Sequence, residues 1–287
     1  MSNAHSIPRL LNIGCGSTFH EDWVNIDLSS SSSQVIQHDL LQGIPFAANE
    51  FDAVYHSHVL EHLTPQAAQQ LISECFRVLK PEGILRIAVP DLEKIATLYL
   101  EAHSLALNGN ESAQDQYDWM KLELLDQLVR QQSGGQMGAY ICSATDQQKR
   151  LINSRLGMEV DQCRAAAELP AKSLRQKFSI RFVEAKQKLA RRMIRILLGK
   201  SAKQAFDESL FRQTGEIHRW MYDRFSLQQL ATNCGFVSAQ VQSGFDSQIE
   251  NFRNYDLDSL HKKIRKPDSL FMEFQKPPAA AQSNQAA

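Results

Sequence analysis

Two glycines and two aspartates are spaced between residues 14 and 39 as the recognition of a nucleoside-containing ligand would require. Gly14 and Gly16 form a turn after an apolar run that begins at Leu10, and glycine lets a backbone approach a ligand closely. Asp27 ends the second apolar run, where its carboxylate can accept hydrogen bonds from two ribose hydroxyls. Asp39 follows a third run and can accept from an adenine amino group. These four residues predict a cofactor site.

The elements that must position them are short apolar runs, which we predict as buried strands at residues 10–13, 24–27, 35–38, 51–56 and 84–89. Thr64 and Pro65 open a helix before the last of these strands. Strands that alternate with crossover segments predict a doubly wound α/β domain with a mostly parallel sheet. Such sheets bind ligands at the carboxyl ends of their strands, near the point where the strand order reverses.

The pattern changes after Asp91, and from there to about Gly215 it is helical, with no convincing strand. Strand patterns return at residues 236–241 and 269–274, and Ser226 is predicted to cap a helix before the first of them. We therefore predict a core interrupted by a helical insertion. The predicted boundaries are 1–96 and 216–278 for the two parts of the core, 97–215 for the insertion, and 279–287 for a disordered tail.

Five segments in this order resemble the class I S-adenosylmethionine-dependent methyltransferases: L-N-I-G-C-G, N-I-D-L, H-D-L, F-D-A-V-Y-H-S-H-V-L-E-H-L and R-V-L-K-P-E-G-I-L-R-I. The resemblance implies a seven-stranded Rossmann-like sheet, and S-adenosylmethionine as the cofactor. It assigns cofactor binding to the turn that starts at Asn12, with Gly14 and Gly16 beside the methionine part. It assigns the remaining contacts as follows: Asp27 to the ribose, Asp39 with Leu40 to the adenine, and His56 to the edge of the pocket at the fourth strand.

The chain departs from the family pattern at three points. Asn12 stands where the family usually has an acidic residue, Thr18 takes the third glycine position, and only ten residues separate Gly16 from Asp27. A nicotinamide-dependent oxidoreductase is the alternative for this segment, but Phe19 replaces its third glycine and its acidic residue would come about 20 residues later. We favour the methyltransferase, and a non-catalytic relative that only binds the cofactor stays open.

Methyl transfer from a sulfonium is a direct displacement, so the alignment of acceptor and methyl carbon supplies most of the catalysis. A hydroxyl acceptor would also need a general base. We expect Asp91, after the fifth strand, or His218, where the chain returns from the insertion, to be that base. The alternatives are that Asp91 caps the following helix and that His218 packs the insertion on the core.

His58 and His62 invite a metal interpretation, because histidines four residues apart share a helix face. The sequence positions no third ligand near them, so we predict no metal. We expect His62 to be a hydrogen-bonded structural residue.

The insertion contains a basic segment, residues 172–203, with eleven Lys or Arg against one acidic residue, Glu184. Apolar residues recur in it at spacings of three and four: Leu174, Phe178, Phe182, Ala185, Leu189, Met193 and Ile196. Such a helix is suited to an anionic membrane surface or a phosphorylated acceptor. The alternative is a lid packed on the core.

Methyltransferases with similar G-G-Q and H-R-W-M-Y-D segments are often associated with bacterial surface-polysaccharide assembly. This resemblance implies a small-molecule or glycan acceptor, and a lipid-linked glycan suits the basic segment.

Composition narrows the remaining classes. The net charge of −1 gives no overall basic field for nucleic acid, although an RNA methyltransferase remains an alternative because of the basic segment. Phe178 and Phe182 lie on the apolar face of that segment rather than among its basic residues, which counts against base stacking. The five scattered cysteines form no C-x-x-C pair and indicate a reducing compartment. We expect a cytoplasmic protein, with peripheral membrane contact through residues 172–203.

Overall fold

The computed structural model describes residues 8–30, 32–110, 113–158, 160 and 174–279. Seven strands form one sheet in the order β3-β2-β1-β4-β5-β9-β6. Its strands are β1 (Leu10–Ile13), β2 (Trp23–Asp27), β3 (Val35–Gln37), β4 (Phe51–Ser57), β5 (Leu79–Pro90), β6 (Val237–Gln242) and β9 (Ser269–Gln275), and a separate hairpin consists of β7 (Ser259–Leu260) and β8 (Lys263–Ile264). β9 runs antiparallel to β5 and β6, whereas β1 to β5 are parallel. The predicted fold class is confirmed.

The helices are α1 (Pro65–Val78), α2 (Leu92–Leu107), α3 (Gln114–Val129), α4 (Gly135–Ser143), α5 (Asp146–Leu156), α6 (Leu174–Phe211) and α7 (Arg224–Asn233). Thr64 caps α1 by accepting from the Ala67 backbone N–H, as its sequence predicts. The prediction that Ser226 caps α7 is wrong. Asp223 is the cap, and Ser226 completes the capping box three residues later.

The alternation of side chains along β1 separates two cores. Leu11 and Ile13 face a large core that is covered by α1 and α7, whereas Leu10 faces the other side of the sheet. On that side Trp23 makes edge-to-face contacts with Tyr55 and Phe252. A short 3-10 turn and its flanking loop cover this second face, and they bring the C-terminal part of the chain over the strands of the N-terminal part.

The sequence predicts no strand between residues 92 and about 215, and the described residues of this range contain helices α2 to α6 and no strand. Their own core includes Ile95, Trp119 and Ile152. Trp119 donates its indole N–H to Glu123, which also binds Arg155 in a buried ion pair. The division of the chain at residues 97 and 216 stays a prediction, and the predicted tail lies outside the described residues except for Ala279. None of the described helices is long and apolar enough to cross a bilayer.

Candidate functional site

The turn after β1 requires its two glycines for different reasons. Gly14 and Gly16 have φ angles of +62° and +52°, a left-handed conformation that L side chains rarely adopt. A Cβ on Gly14 would lie 2.5 Å from Val59 Cγ2, so this position is closed by packing. A Cβ on Gly16 would meet no heavy atom within 4 Å, so this position faces open space.

Asp27 lies at the carboxyl end of β2 and holds this turn in place. Its Oδ2 accepts a 2.9 Å hydrogen bond from the Gly16 backbone N–H, and its Oδ1 accepts one of 2.9 Å from Ser29 N–H. The Ser29 hydroxyl also donates to Oδ1, at 3.4 Å. Each carboxylate oxygen has two acceptor positions, so Oδ2 keeps one for a ligand. The structure therefore brings together Gly16 and Asp27, two residues that the sequence assigned to one cofactor.

The amide at Asn12 has a structural reason. Asn12 is buried, and its Nδ2 donates to the Thr18 backbone oxygen at 3.2 Å and to Asn25 Oδ1 at 3.1 Å. A carboxylate at this position has no proton to donate to either oxygen. Asn12 thus replaces the family's usual acidic residue at a position where the short connection between β1 and β2 needs a hydrogen-bond donor.

Asp39 and Leu40 lie beyond β3. Asp39 Oδ1 accepts from Leu41 N–H at 3.0 Å and caps a 3-10 turn at Leu40–Gln42. Leu40 packs against the large core and lines a separate depression with Leu63 and Leu71. These residues are placed at the end of their strand as expected, but their contacts are with the turn and the core.

A cleft opens at the carboxyl ends of β1 and β4, and both halves of the chain line it. One wall is the turn with Asn12, Gly14 and Gly16. The rest of the lining includes Tyr55, Ser57 and His58 from β4 and its end, and Asp258, Arg265 and Lys266 from around the β7–β8 hairpin. Asp27, Asp39 and Leu40 are not part of this lining.

The structure does not place His56 among the residues that line the cleft, and its role at the edge of the pocket stays a prediction. His56 is fully buried, and it is the neighbouring Tyr55 and Ser57 that reach the cleft. Successive side chains of a strand point to opposite faces, so Tyr55 and Ser57 share one face and His56 takes the other. Neither ring nitrogen of His56 has a hydrogen-bond partner among the described residues, and burial lowers its pKa to about 3.

His58 is the histidine that reaches the cleft. Its backbone φ is +54°, an uncommon conformation for a non-glycine residue. Its Nε2 lies 2.7 Å from Ser269 Oγ, and its Nδ1 lies 3.2 Å from Glu61 Oε1. Burial, reinforced by the nearby Lys266 charge, lowers the pKa of His58 well below the usual range, so it is neutral at pH 7.

The structure does not place the two expected bases, Asp91 and His218, among the residues that line the cleft. Asp91 caps α2 by accepting from Lys94 N–H at 3.1 Å, which is its alternative role. His218 is buried, and its ring centroid lies 5.0 Å from that of His62. Burial, with the neighbouring His62, lowers the pKa of His218 to about 3.

Sequence reasoning missed the polar floor of the cleft. Tyr55 donates a 2.5 Å hydrogen bond to Asp258 Oδ1, and the buried Arg86 binds Asp258 Oδ2 and Glu273 Oε1 at 2.7 Å each. Burial raises the pKa of Tyr55 well above its usual range. The alternation along β4 predicts that Tyr55 and Ser57 share a face. By contrast, no periodicity around residues 257–266 indicates that Asp258, Arg265 and Lys266 would meet them.

Comparison with known proteins finds matches to the part of the chain that contains the glycine turn. Residues 11–87 match a family model described as a methyltransferase domain. A probable S-adenosylmethionine-dependent methyltransferase of Mycolicibacterium smegmatis is 41% identical over 56 residues, which are 20% of this chain and 21% of that protein. An uncharacterised methyltransferase of Synechocystis sp. is 44% identical over 55 residues, 19% of this chain and 25% of that protein.

The matches to these curated relatives span between a fifth and a quarter of their length. Among solved structures, an S-adenosylmethionine-dependent methyltransferase from Archaeoglobus fulgidus aligns over 94% of this chain and 86% of its own, with 13% identity and a TM-score of 0.36. The methyltransferase domain match runs from β1 into β5 and includes the glycine turn, Asp27 and the end of β4. This match supports the interpretation of the segment as a class I S-adenosylmethionine-dependent methyltransferase. It does not identify the acceptor.

Proposed function

We propose that this protein transfers a methyl group from S-adenosylmethionine to a hydroxyl or other nucleophile of a small-molecule or glycan acceptor. The observation that carries the proposal is the contact between Asp27 and the Gly16 backbone beside an open cleft, in the segment that matches a methyltransferase domain. S-adenosylmethionine supplies an activated methyl group, so the protein needs mainly to bind and align.

The residues at the turn suit such a cofactor. The space next to Gly16 is open, and Asp27 Oδ2 keeps an acceptor position for a ribose hydroxyl. In this proposal Asp39 and Leu40 face the adenine, and Asn12 positions the turn through its amide. His56 acts only as part of the core beneath the site.

We infer the charge of the acceptor from the far side of the cleft. Arg265 and Lys266 line it opposite the glycine turn, and the carboxylate of Asp258 is already bound by Arg86 and Tyr55. Two basic side chains with a neutralised acid favour an anionic acceptor, such as a phosphorylated or pyrophosphate-linked glycan. This supports our expectation of an acceptor from surface-polysaccharide assembly.

The first test is calorimetric titration with S-adenosylhomocysteine. Replacing a charged acceptor of hydrogen bonds costs about 1.5–3 kcal/mol, so Asp27→Ala should weaken binding about 10- to 150-fold. Asp22→Ala is the matched control, because Asp22 is an exposed carboxylate just before β2, and it should bind normally. Equal affinity in both variants would contradict the cofactor assignment.

A second test identifies the acceptor. Methyl-labelled S-adenosylmethionine is incubated with the protein and a lysate of its own organism, which is then separated into lipid-linked glycan, protein, nucleic acid and small molecules. Label in the glycan fraction supports the proposed acceptor, and label in another fraction overturns it but keeps the enzyme. Cofactor binding without label in any fraction supports the non-catalytic relative.

The general base stays a prediction, and Asp91 and His218 remain its candidates. Asp91→Asn keeps an oxygen that can cap α2 and removes the base, so it separates the two roles. Turnover that falls in Asp91→Asn while the unfolding temperature is unchanged supports a base. Unchanged turnover in both Asp91→Asn and His218→Gln would exclude both candidates.

We also propose that the basic segment contacts anionic membrane lipid. Within α6, Leu189, Met193, Ile196 and Leu197 are 63%, 47%, 67% and 71% exposed, so these residues do not pack on the core as a lid would. Their spacing of i, i+4, i+7 and i+8 places them on one face of the helix. The exposed basic side chains of Lys188, Arg192 and Arg195 lie on another face. The apolar positions from Leu174 to Ala185 lie outside the described side chains.

An exposed apolar face beside a basic face is the pattern of helices that lie in a membrane interface. Co-sedimentation with phosphatidylglycerol vesicles should capture the protein, and phosphatidylcholine vesicles should capture much less of it. Replacing Leu189, Met193 and Ile196 together by serine should abolish capture, whereas the same substitution at exposed Leu105 and Leu107 of α2 should not. Equal capture of both variants would overturn the assignment, as would a salt-sensitive RNA shift without vesicle binding.

A further inference from the structure

A carboxylate and two imidazoles meet behind the cleft, where the end of β4 contacts the chain returning from the helices. One possible ligand atom from each of Glu61, His62 and His218 lies within 4.8 Å of the others. His218 is separated from the other two by more than 150 residues, so the fold creates this cluster. Glu61 is fully buried, and His62 is partly exposed. The sequence predicts no metal, because it positions no third ligand near His58 and His62, whereas the fold brings His218 to His62.

Backbone hydrogen bonds fix the two segments against each other. The Glu61 carbonyl oxygen accepts from Arg219 N–H at 2.6 Å and from Trp220 N–H at 3.3 Å. His218 N–H donates to the Gln127 carbonyl oxygen at 2.9 Å, which ties the returning segment to α3. The cluster is therefore held by the main chain on both sides, and its side chains are positioned before any ligand binds.

Both histidines have one ring nitrogen held by a neighbour. His62 Nδ1 lies 3.2 Å from the Ile217 carbonyl oxygen, to which it donates, and Nε2 lies 3.9 Å from Glu61 Oε1. His218 Nε2 lies 2.9 Å from Gln127 Nε2. Rotating that carboxamide by half a turn places its oxygen there, so that Nε2 donates and Nδ1 is left with a lone pair. Ligating histidines are usually oriented in this way by a second hydrogen bond.

We propose that Glu61, His62 and His218 bind a divalent transition-metal cation, with zinc and manganese as the best candidates. Two imidazoles and one carboxylate are a ligand set that such ions accept. Three protein ligands leave at least one position for water or an acceptor oxygen. His58, which contacts Glu61 and lines the cleft, separates the cluster from the cleft by one side chain.

The competing arrangement needs no ion, since Glu61 also contacts His58 Nδ1 and can serve only to orient that ring. Direct metal binding separates the two, and it does not depend on the proposed methyl transfer. Chelator-treated protein is titrated with Zn²⁺ and with Mn²⁺ by calorimetry, and with Co²⁺ by visible absorption. We expect one equivalent of metal to bind with a dissociation constant in the micromolar range or below.

Variants locate the ion. His62→Ala and His218→Ala should each weaken binding at least 100-fold, and Gln127→Ala should weaken it 10- to 100-fold by releasing His218. His103→Ala on α2 is the control and should bind like the parent protein. His62 is partly exposed, so its variant tests the proposal even if the buried His218 variant fails to fold. Less than one equivalent bound by the parent protein, or unchanged affinity in His62→Ala, would overturn the proposal.

Discussion

Adding one methyl group at each glycine of the turn separates a structural role from a binding role. Gly14 and Gly16 both have left-handed backbones, which cost a residue with a Cβ about 1–2 kcal/mol. Only at Gly14 does the new methyl group overlap a neighbour, at 2.5 Å from Val59 Cγ2. Overpacking of this kind adds about 1–3 kcal/mol. Gly14→Ala should therefore destabilise the protein by about 2–5 kcal/mol, and Gly16→Ala by only 1–2 kcal/mol.

The overlap can be removed from its other side. Val59→Ala deletes the methyl group that Gly14→Ala would strike, so the double variant should regain the overpacking part of the loss. In urea unfolding, the coupling free energy between the two substitutions should be about 1–3 kcal/mol in favour of the double variant. Gly16→Ala combined with Val59→Ala is the control pair and should show coupling near zero, because no heavy atom lies within 4 Å of the new methyl group.

Ligand binding should give the opposite ranking. A methyl group on Gly16 projects into the space that we assign to the cofactor, so Gly16→Ala should weaken S-adenosylhomocysteine binding at least 10-fold while the fold remains stable. Calorimetric titration measures this directly. Equal destabilisation by Gly14→Ala and Gly16→Ala, or zero coupling with Val59→Ala, would refute the packing argument. Normal binding by Gly16→Ala would refute the cofactor position but leave the packing argument intact.

Three further outcomes follow from the polar side chains of His56, Arg86 and Asp91. His56→Leu should keep or raise stability at pH 7, since neither ring nitrogen has a partner among the described residues. Because burial lowers the folded-state pKa of His56 to about 3, the unfolded chain takes up the proton first. Unfolding experiments should therefore show the parent protein losing about 1.4 kcal/mol per pH unit more than His56→Leu as the pH falls from about 6 towards 3, and equal slopes would contradict this. Arg86→Met should lower the unfolding free energy by about 3–5 kcal/mol in urea, because Asp258 and Glu273 keep buried charges without their partner. Asp91→Ala should cost about 1 kcal/mol through its lost cap, whereas Asp91→Asn should cost less, and equal losses in thermal unfolding would contradict the capping role.

The strands of the first half of the sheet could be predicted because their residue patterns agree with the buried environment in which the fold places them. Three of the four residues from Leu10 to Ile13 are apolar, all four are buried, and glycines follow them, so the pattern and its environment agree. The cap of α7 could not be chosen in this way, because Asp223 and Ser226 are both good caps and form one capping box together. Likewise β5 begins at Leu79 instead of Ile84, because Leu79 pairs with Phe51 across an irregular register.

The candidate site was predictable where it depends on one strand end and its turn. Gly16 and Asp27 follow neighbouring strands, so the order of the strands alone brings them together. A motif does not state which side of a strand faces the cleft, so it could not predict that Tyr55 and Ser57 line the cleft while His56 is buried. The pairing of His62 with His218 depends on how a segment more than 150 residues away returns to the sheet, and periodicity carries no information about that contact.

The cleft itself explains why a match over residues 11–87 cannot identify the acceptor. The wall that we assign to the cofactor lies within the matched segment, but the opposite wall, with Arg265 and Lys266, lies far beyond it. Two side chains of the sheet hold that wall in place: Tyr55 donates to Asp258, and Arg86 binds Asp258 while contacting backbone oxygens of the loop after β6. Because both contacts are buried, the position of the far wall is coupled to the stability of the sheet. Relatives that share only residues 11–87 can therefore share the donor side of the reaction while their acceptors differ, and substitutions at residues 258–266 are the ones that should change the acceptor without changing cofactor affinity.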